Sequence, residues 1–535
     1  MKRNIAIIAA ALFVSVLASA QSKSFKMGQW IEIQDDIIKS LNTSYVDSLP
    51  VDRMMRAAVD AMLEELDPYT VYVPEEENED LQMMINKTYG GIGAIIHKKV
   101  GEYVIISEPY AGSPAHKNNL RAGDEIMEIN GEDTRPLESQ AASEKMKGKA
   151  GTDVTFKVKK AHTGEVVDIT VRRELIHFPD VEYAGMIDSE TGYILQSGFT
   201  HGVSETIKSE FLKMKGQGMK RFVLDLRGNG GGLLDEAVKI VGLFVPKGTV
   251  VVTAKGINNG AFYEYKTPSE PVDTQMPVIV LIDGGSASAS EIVSGALQDL
   301  DRATIMGKRS YGKGLVQSFR SVPYNGQLKV TTAKYYTPSG RCVQARDYAK
   351  RNEDGSVSEI PDSLTHEFKT ALGRTVRDGG GITPDVDIPV TKYSRLAYAM
   401  VLGGIVDNYA LEYAKKHESI PAVDDFHFSD ADYEDFVKYA MTQEFDYRSG
   451  AMALFDQMKK ELEDDGLAET MKPELDALKK AMEMDKERFV RLQKDELIQF
   501  IEEDIVVRYY FQEAGIKIRL RYDDQLKKAL TSPTI

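Results

Sequence analysis

The sequence predicts an α+β multidomain chain: a helical N-terminal segment, a small β domain, a layered α/β core and a helical C-terminal extension. Two patterns carry this. Apolar residues sit at helical spacing near both ends, and between them short β-branched runs with glycine turns give way to alternating strand and helix blocks. The third observation is length, since 535 residues are too many for one ordinary domain. Hydrophobic residues make up 42% and charged residues 28%, a globular composition. The net charge of −16 offers no basic field for a phosphate backbone, so no nucleic-acid partner is expected. The eight histidines and one cysteine show no metal-ligand spacing. No metal and no organic cofactor is expected, and Cys342 reads as a small residue beside a strand.

The elements follow in order. "MKRNIAIIAAALFVSVLASAQ" has a basic start, a short apolar run and the small-residue site Ala18-Ser19-Ala20. It reads as a signal peptide over 1–20, cleaved before Gln21, which places the protein in the periplasm or otherwise outside the cytoplasm. Residues 21–85 read as helices, with Ile31, Ile37, Ile38 and Leu41, then Met54, Met55, Ala58 and Met62, near helical spacing. Residues 86–175 form the β domain through "GAIIHKK", "EYVIISE", "DEIMEING", "DVTFKVKK" and "VVDITVRR". Residues 176–392 alternate: "RFVLDL", "LLDEAVKIVGLF", "PVIVLID", "EIVSGALQDL". Residues 393–535, charged and rich in Leu, Met, Lys and Glu, read as helices, with a lid or oligomer contact as the expected role.

Two glycine-rich stretches invite a nucleotide-binding reading, and neither sustains it. "DLRGNGGGLLDE" misses the last glycine of the dinucleotide fingerprint at Leu233. "GKRSYGKG" is one residue short of a P-loop and runs into an alternating, strand-like "LVQSFRSV" where a P-loop needs a helix. A glycine loop at a helix mouth has another use, aiming backbone N–H groups at a developing oxyanion.

"DGGSASASEIVSGALQD" places Ser286, Ser288 and Ser290 on alternate positions at a helix mouth. Two readings of Ser288 stand together. With Glu291 it makes the S-x-x-E of a capping box, and on a strand–turn–helix it suits a nucleophile. No histidine lies between Leu281 and Tyr336 to serve as base. Lys313, between two glycines, is either an exposed loop lysine or a base whose pKa burial brings from about 10.4 toward about 7. If both residues lie on one strand, Gln317, four positions on, shares its face.

These residues sit in a larger pattern. "DLRGNGGG", "GGSASASEIVSGALQD", "SYGKGLVQ", "TTAKYYTPSGR" and "GGGITPDV", in that order, resemble the carboxyl-terminal processing peptidases, or tail-specific serine proteases. "LDPYTVYVPEE" is similar to the segment before that family's PDZ domain, and "AGSPAHKNNLRAGDEIMEINGED" to the PDZ core, so the likeness runs from about Trp30 to Val390. The resemblance implies a PDZ-like β domain and a ClpP/crotonase-like peptidase core. It implies Ser288 as nucleophile, Lys313 as general base, Gln317 as its support, and backbone N–H groups of Gly230, Gly231, Gly232 and Ala289 as the oxyanion hole. Cys342 stands where the family usually has a serine. The PDZ likeness implies strand addition of a substrate's C-terminus, with its carboxylate read by Tyr89, Gly90, Gly91, Ile92 and Gly93.

The function expected is an exported serine endopeptidase cutting protein or peptide substrates near a free C-terminus. A homo-oligomer and an adaptor protein are left open. One alternative is a PDZ-bearing scaffold or chaperone with a weak or dead peptidase fold, which the joint presence of Ser288, Lys313 and Gln317 disfavours. A crotonase-like acyl-transfer enzyme would explain neither the PDZ-like segment nor Lys313.

Overall fold

The computed structural model describes residues 24–98, 101–256, 262–445, 450–482 and 486–534. The signal peptide expected over 1–20 lies outside them. The chain divides into two compact units, one of residues up to Tyr72 with Phe319–Val330, the other of Val73–Ser318 with Thr331–Ile535. In the first, residues 24–44 and Val51–Glu64 are helical. Arg56 pairs with Asp60 one turn on at 2.9 Å and donates to the Tyr72 carbonyl. The Asp67 carboxylate accepts the Tyr69 and Thr70 N–H groups, which ends the helical pattern at "LDPYT".

In the second unit, the β domain is an antiparallel sheet ordered Ala94–His97, Val104–Pro109, Glu125–Ile129, Asp153–Lys159, Val166–Arg172. Alternate residues face inward, as in Val154, Phe156 and Val158, and close on Ile106, Leu120 and Ile126. A two-stranded ribbon, Thr88–Gly91 against Glu174–His177, carries the chain in and out and runs through residue 175.

The α/β core holds a six-stranded sheet, ordered Val181–Met186, Thr191–Gln196, Arg221–Asp225, Val278–Ile282, Thr304–Gly307, Val386–Asp387. Only the first pair is antiparallel. The run "VIVLI" is buried throughout because the sheet is covered on both faces. Val278, Val280 and Ile282 pack with helices Val203–Gly216, Leu234–Val241 and Ala289–Asp299 through Ile207, Phe211, Ile240 and Ile292. Ile279 and Leu281 face the other way, onto Ile516, Leu526 and Ala529 of the C-terminal helices.

Those helices include Arg395–Leu402, Ile405–Lys416, Asp430–Thr442 and Lys494–Tyr522, packed through Leu396, Tyr409, Phe436, Leu497 and Ile501. Serines at helix mouths cap two of them, Ser394 accepting the Ala397 N–H and Ser429 the Asp432 N–H. The long helix breaks at Phe511 (φ 65°, ψ −177°), whose ring lies 4.7 Å from that of His116 in the β domain. The C-terminal extension is therefore built into the second unit, against both the β domain and the core sheet.

Candidate active site

Parallel neighbours Arg221–Asp225 and Val278–Ile282 end at the same edge of the sheet, so the loops after them emerge together. One is Leu226–Gly232, the other Asp283–Ser288. Asp283 Oδ1 accepts the Gly228 and Gly285 N–H groups at 2.8 and 2.9 Å. The buried Ser286 hydroxyl donates to the Leu226 carbonyl at 2.7 Å, and that of Ser290 to the Asn229 carbonyl at 2.8 Å. The Ala287 N–H donates to the same Asn229 carbonyl. Two of the three serines thus tie one loop to the other.

Ser288 differs from both. It is half-buried, it occupies the N-cap of helix Ala289–Asp299, and its backbone is held at φ 56°, ψ −111°. A left-handed φ on a non-glycine residue costs about 1–3 kcal/mol and persists only where the surroundings impose it. Here the imposed turn brings the Ser288 side chain against the glycine loop. Gly231 has φ +100°, and a Cβ on it would lie 2.8 Å from Ser288 Cβ and 2.9 Å from the Ala289 nitrogen, so only glycine fits.

At the helix mouth, the N–H groups of Ser290, Glu291 and Ile292 bond to the carbonyls of Ala287 and Ser288. That of Ala289 has no acceptor among the described residues, as expected for a first-turn donor. Of the oxyanion donors expected from sequence, the structure commits one elsewhere: the Gly231 N–H donates to Asn229 Oδ1 at 2.9 Å. Among the described residues the N–H groups of Gly230 and Gly232, which flank Gly231, are not committed to an acceptor.

Glu291 ties the two halves of the site together. Its carboxylate is fully buried, and it accepts the N–H of Ser288 (2.8 Å), the hydroxyl of Ser310 (2.6 Å) and the N–H groups of Gly312 (2.7 Å) and Lys313 (2.8 Å). Burial raises its pKa, and these donors pull against that rise. The capping box legible in the sequence is therefore one bond of a four-bond hub. Tyr335, also buried, donates its hydroxyl toward the carbonyls of Ser288 (3.1 Å) and Lys313 (2.6 Å), and burial lifts its pKa well above the ordinary value. The backbones of Ser288 and Lys313 are thus fixed by the same two side chains.

Lys313 is half-buried in an irregular segment that ends before strand Leu315–Ser321 begins. This corrects the expectation that Lys313 and Gln317 share one strand face: only Gln317 is on the strand, and its amide nitrogen donates to Thr331 Oγ1 at 3.2 Å. Cys342 bridges to Tyr336 in the backbone, and burial pushes its thiol pKa up, which suits a neutral filler.

In the β domain, Tyr89–Gly93 does more than precede the first strand of the sheet. Tyr89–Gly91 belong to the ribbon with Glu174–His177, which leaves Ile92 and Gly93 as the turn into Ala94–His97. The Ile92 and Gly93 carbonyls accept the Ala115 and Tyr110 N–H groups. Gly93 has φ +71°, and a Cβ there would meet the Ser113 side chain at 2.5 Å. Strand Ala94–His97 is the end of the sheet path, with helix Ser139–Met146 packed nearby. Tyr89 stacks on Phe178, which Tyr110 meets edge-on.

Residues missed at the sequence level were Asn229, Glu291 in its hub role, and Tyr335. Asn229 stands out between glycines in "RGNGGG", and Tyr335 lies in the quoted "TTAKYYTPSGR", but their bonds join segments far apart in the chain.

Comparison with known proteins adds three family matches: "Peptidase family S41" over residues 190–350, "PDZ domain" over 81–159, and "Probable PDZ-protease, C-terminal helical domain" over 396–532. A carboxy-terminal-processing protease of Bartonella bacilliformis is 36% identical over 313 residues, 58% of this chain and 71% of that protein. A "Probable CtpA-like serine protease" of Staphylococcus aureus is 34% identical over 314 residues, 58% of this chain. The chain spans 62% of that relative's length. Among solved structures, the photosystem II D1 C-terminal processing protease is 24% identical with a TM-score of 0.36, over 65% of this chain and 86% of that one.

Proposed function

Because the chain belongs to the carboxy-terminal-processing proteases of peptidase family S41, we propose that it is a serine endopeptidase acting through a Ser288–Lys313 dyad. A neutral Lys313 amine takes the Ser288 Oγ proton as the oxygen attacks the scissile carbonyl. The carbonyl oxygen, now an anion, receives N–H groups from Ala289 and the Gly230–Gly232 loop at the positive end of helix Ala289–Asp299. Lys313 then gives its proton to the departing amine. The acyl-enzyme is resolved by a water that Lys313 deprotonates, and the proton returns to Ser288 as the acid product leaves. The role of Gln317 as support for the base rests on the family likeness alone, since its amide donates to Thr331.

The observation that carries this reading is the hub. Glu291 and Tyr335 hold the backbones of Ser288 and Lys313 in one fixed relation, with Ser288 in a strained turn against Gly231. A scaffold or chaperone would have no use for that strain. The test is covalent labelling by a fluorophosphonate, with casein hydrolysis alongside. Wild type labels at Ser288 and hydrolyses, and Ser288→Ala does neither. A folded wild-type protein that neither labels nor hydrolyses leaves the scaffold reading in its place.

Export and chain-end reading belong to the same proposal. The leader-like start supports secretion with cleavage before Gln21, which N-terminal sequencing of the protein made in its host would check. The glycine turn at Ile92–Gly93 and the open edge of Ala94–His97 support strand addition of a substrate C-terminus. Free-acid peptides should then be cleaved faster than their amidated twins. Equal rates on wild type would leave the β domain as a scaffold.

A further inference from the structure

We infer that Asp523, at the mouth of the last helix, is a positioning residue for the oxyanion loop, acting through Arg227. The inference rests on the peptidase reading above and extends the site into the C-terminal extension.

Arg227 is the joint between sheet and loop. Only Leu226 separates it from the last residue of strand Arg221–Asp225, and Gly228–Gly232 follow it directly. Its guanidinium is gripped from two sides. Nε donates to both oxygens of the buried Asp225 at 3.0 Å, and Nη2 donates to Asp225 Oδ2 at 2.5 Å. On the far side, Nη2 donates to Asp523 Oδ2 at 2.6 Å, and Nη1 reaches Asp523 Oδ1 (3.3 Å) and Gln525 Oε1 (3.1 Å). The bidentate fork fixes the plane of the group as well as its place.

The second grip has its own anchors. Asp523 caps helix Asp524–Thr531 by accepting the Leu526 N–H at 2.8 Å. That helix is seated on the sheet through Leu526 and Ala529, and the Leu530 carbonyl accepts a bond from Arg221 Nη1 at 2.7 Å. Gln525 Nε2 donates to the Ile388 carbonyl just beyond the outermost core strand. The clamp therefore refers Arg227 to the rigid sheet.

A cavity of about 330 Å³ opens beside Arg227, lined also by Tyr393, Phe500 and Tyr522. Without Asp523 the guanidinium can turn into that space while keeping part of its bond to Asp225. The backbone that follows carries Gly231, which has no slack against Ser288 Cβ and the Ala289 nitrogen. A small rotation at Arg227 thus moves the oxyanion donors relative to the nucleophile, and misplacement on the order of 1 Å costs up to about a hundredfold in rate. Loss of Asp523 leaves Arg227 still paired with Asp225 through part of its fork, so no buried charge is stranded and the protein need not unfold.

The experiment measures the rate of Ser288 labelling by a fluorophosphonate, kcat and KM on a peptide, and Tm, for wild type, Asp523→Asn and Ile505→Ala. Asparagine caps a helix as well as aspartate does but lacks the charge for the fork. Asp523→Asn should label and turn over about tenfold more slowly, with KM within about twofold of wild type and Tm little changed. Ile505, buried in the C-terminal core and not among the residues lining the cavity beside Arg227, gives the opposite signature: a lowered Tm with labelling unchanged below it. Asp523→Glu, which restores the charge with cavity space to accommodate it, should recover part of the rate. Asp523→Asn labelling at the wild-type rate overturns the inference while leaving the peptidase reading in place. A folded wild type that does not label at Ser288 overturns both.

Discussion

The buried carboxylate of Glu291 accepts the backbone N–H of Lys313 at 2.8 Å and, through the same oxygen, that of Ser288 at 2.8 Å. One oxygen atom thus sets the spacing of two chain segments that the sheet alone would not align. Glu291→Ala strands four donors, of which those of Ser310 and Gly312 are buried. At about 1–3 kcal/mol for each buried unsatisfied group, the variant should lose about 2–6 kcal/mol of stability, or fail to fold. Glu291→Gln keeps the size but turns an NH2 toward donors. It should fold with a lower Tm and label at Ser288 about a hundredfold more slowly. Thermal denaturation and labelling rates check both.

Replacing each of the three serines separates their roles. Ser288→Ala should abolish hydrolysis with a stability change of about 1 kcal/mol. Ser286→Ala and Ser290→Ala each remove one tie between the loops, lowering stability by about 1–3 kcal/mol and activity only in part. Full activity in Ser288→Ala, measured on casein, would reassign the nucleophile.

A lysine base works only when neutral, so hydrolysis should climb with pH as the Lys313 amine loses its proton. Lys313→Arg cannot deprotonate and should be as inactive as Lys313→Ala. Gln317→Ala should be milder, because its amide takes no proton. Turnover by the arginine variant within about tenfold of wild type would exclude Lys313 as the base.

The junction between the β domain and the long C-terminal helix should loosen as pH rises. Burial lifts Glu108 to about 7, Glu503 to about 7 and Asp504 to about 6. Arg508 opposes the rise at Glu108 and Asp504, and Arg519 at Glu503. Asp407, paired with Arg508 and 3.6 Å from His97, also faces the cluster, and Lys87 and Glu182 line the adjoining cavity. Because these pKa values are raised in the packed state, that state holds more protons than the separated one. Packing is therefore firm near pH 4 and weakens as pH climbs toward 7. Hydrogen exchange of the Val104–Glu108 amides, corrected for intrinsic rates, should show less protection at pH 8 than at pH 5.5. Glu108→Gln should flatten that difference, and an unchanged pH dependence in the variant would remove Glu108 from the cause.

Much of this architecture is legible in the sequence, for physical reasons. Alternation in "DVTFKVKK" predicts a strand with one buried face, and Val154, Phe156 and Val158 are that face. The unbroken "VIVLI" predicts a strand covered on both sides, but nothing local says that Ile516, Leu526 and Ala529 do the covering on one of them. The glycine loop and the serine helix mouth are local signals, and the structure brings Gly231 and Ser288 into contact. The bonds that set the geometry are not local: Ser290 to Asn229, Glu291 to Gly312, Tyr335 to Lys313, Arg227 to Asp523. Each joins segments whose proximity only the sheet order creates. The Lys313–Gln317 expectation fails for a related reason, since strand periodicity was extended two residues past where the strand begins.

The pairing of Arg227 with Asp523 closes a loop of 296 residues. Closure over such a span is entropically late, and a chain made from its N-terminus cannot attempt it until residue 523 has been added. The strands, the glycine loop and the serine helix all precede in the chain the residues that clamp them. On the assignment of Asp523 made above, a chain interrupted before residue 523 lacks the clamp and leaves the oxyanion loop free to turn. The geometry of the loop is thus completed by a residue made 296 positions after Arg227.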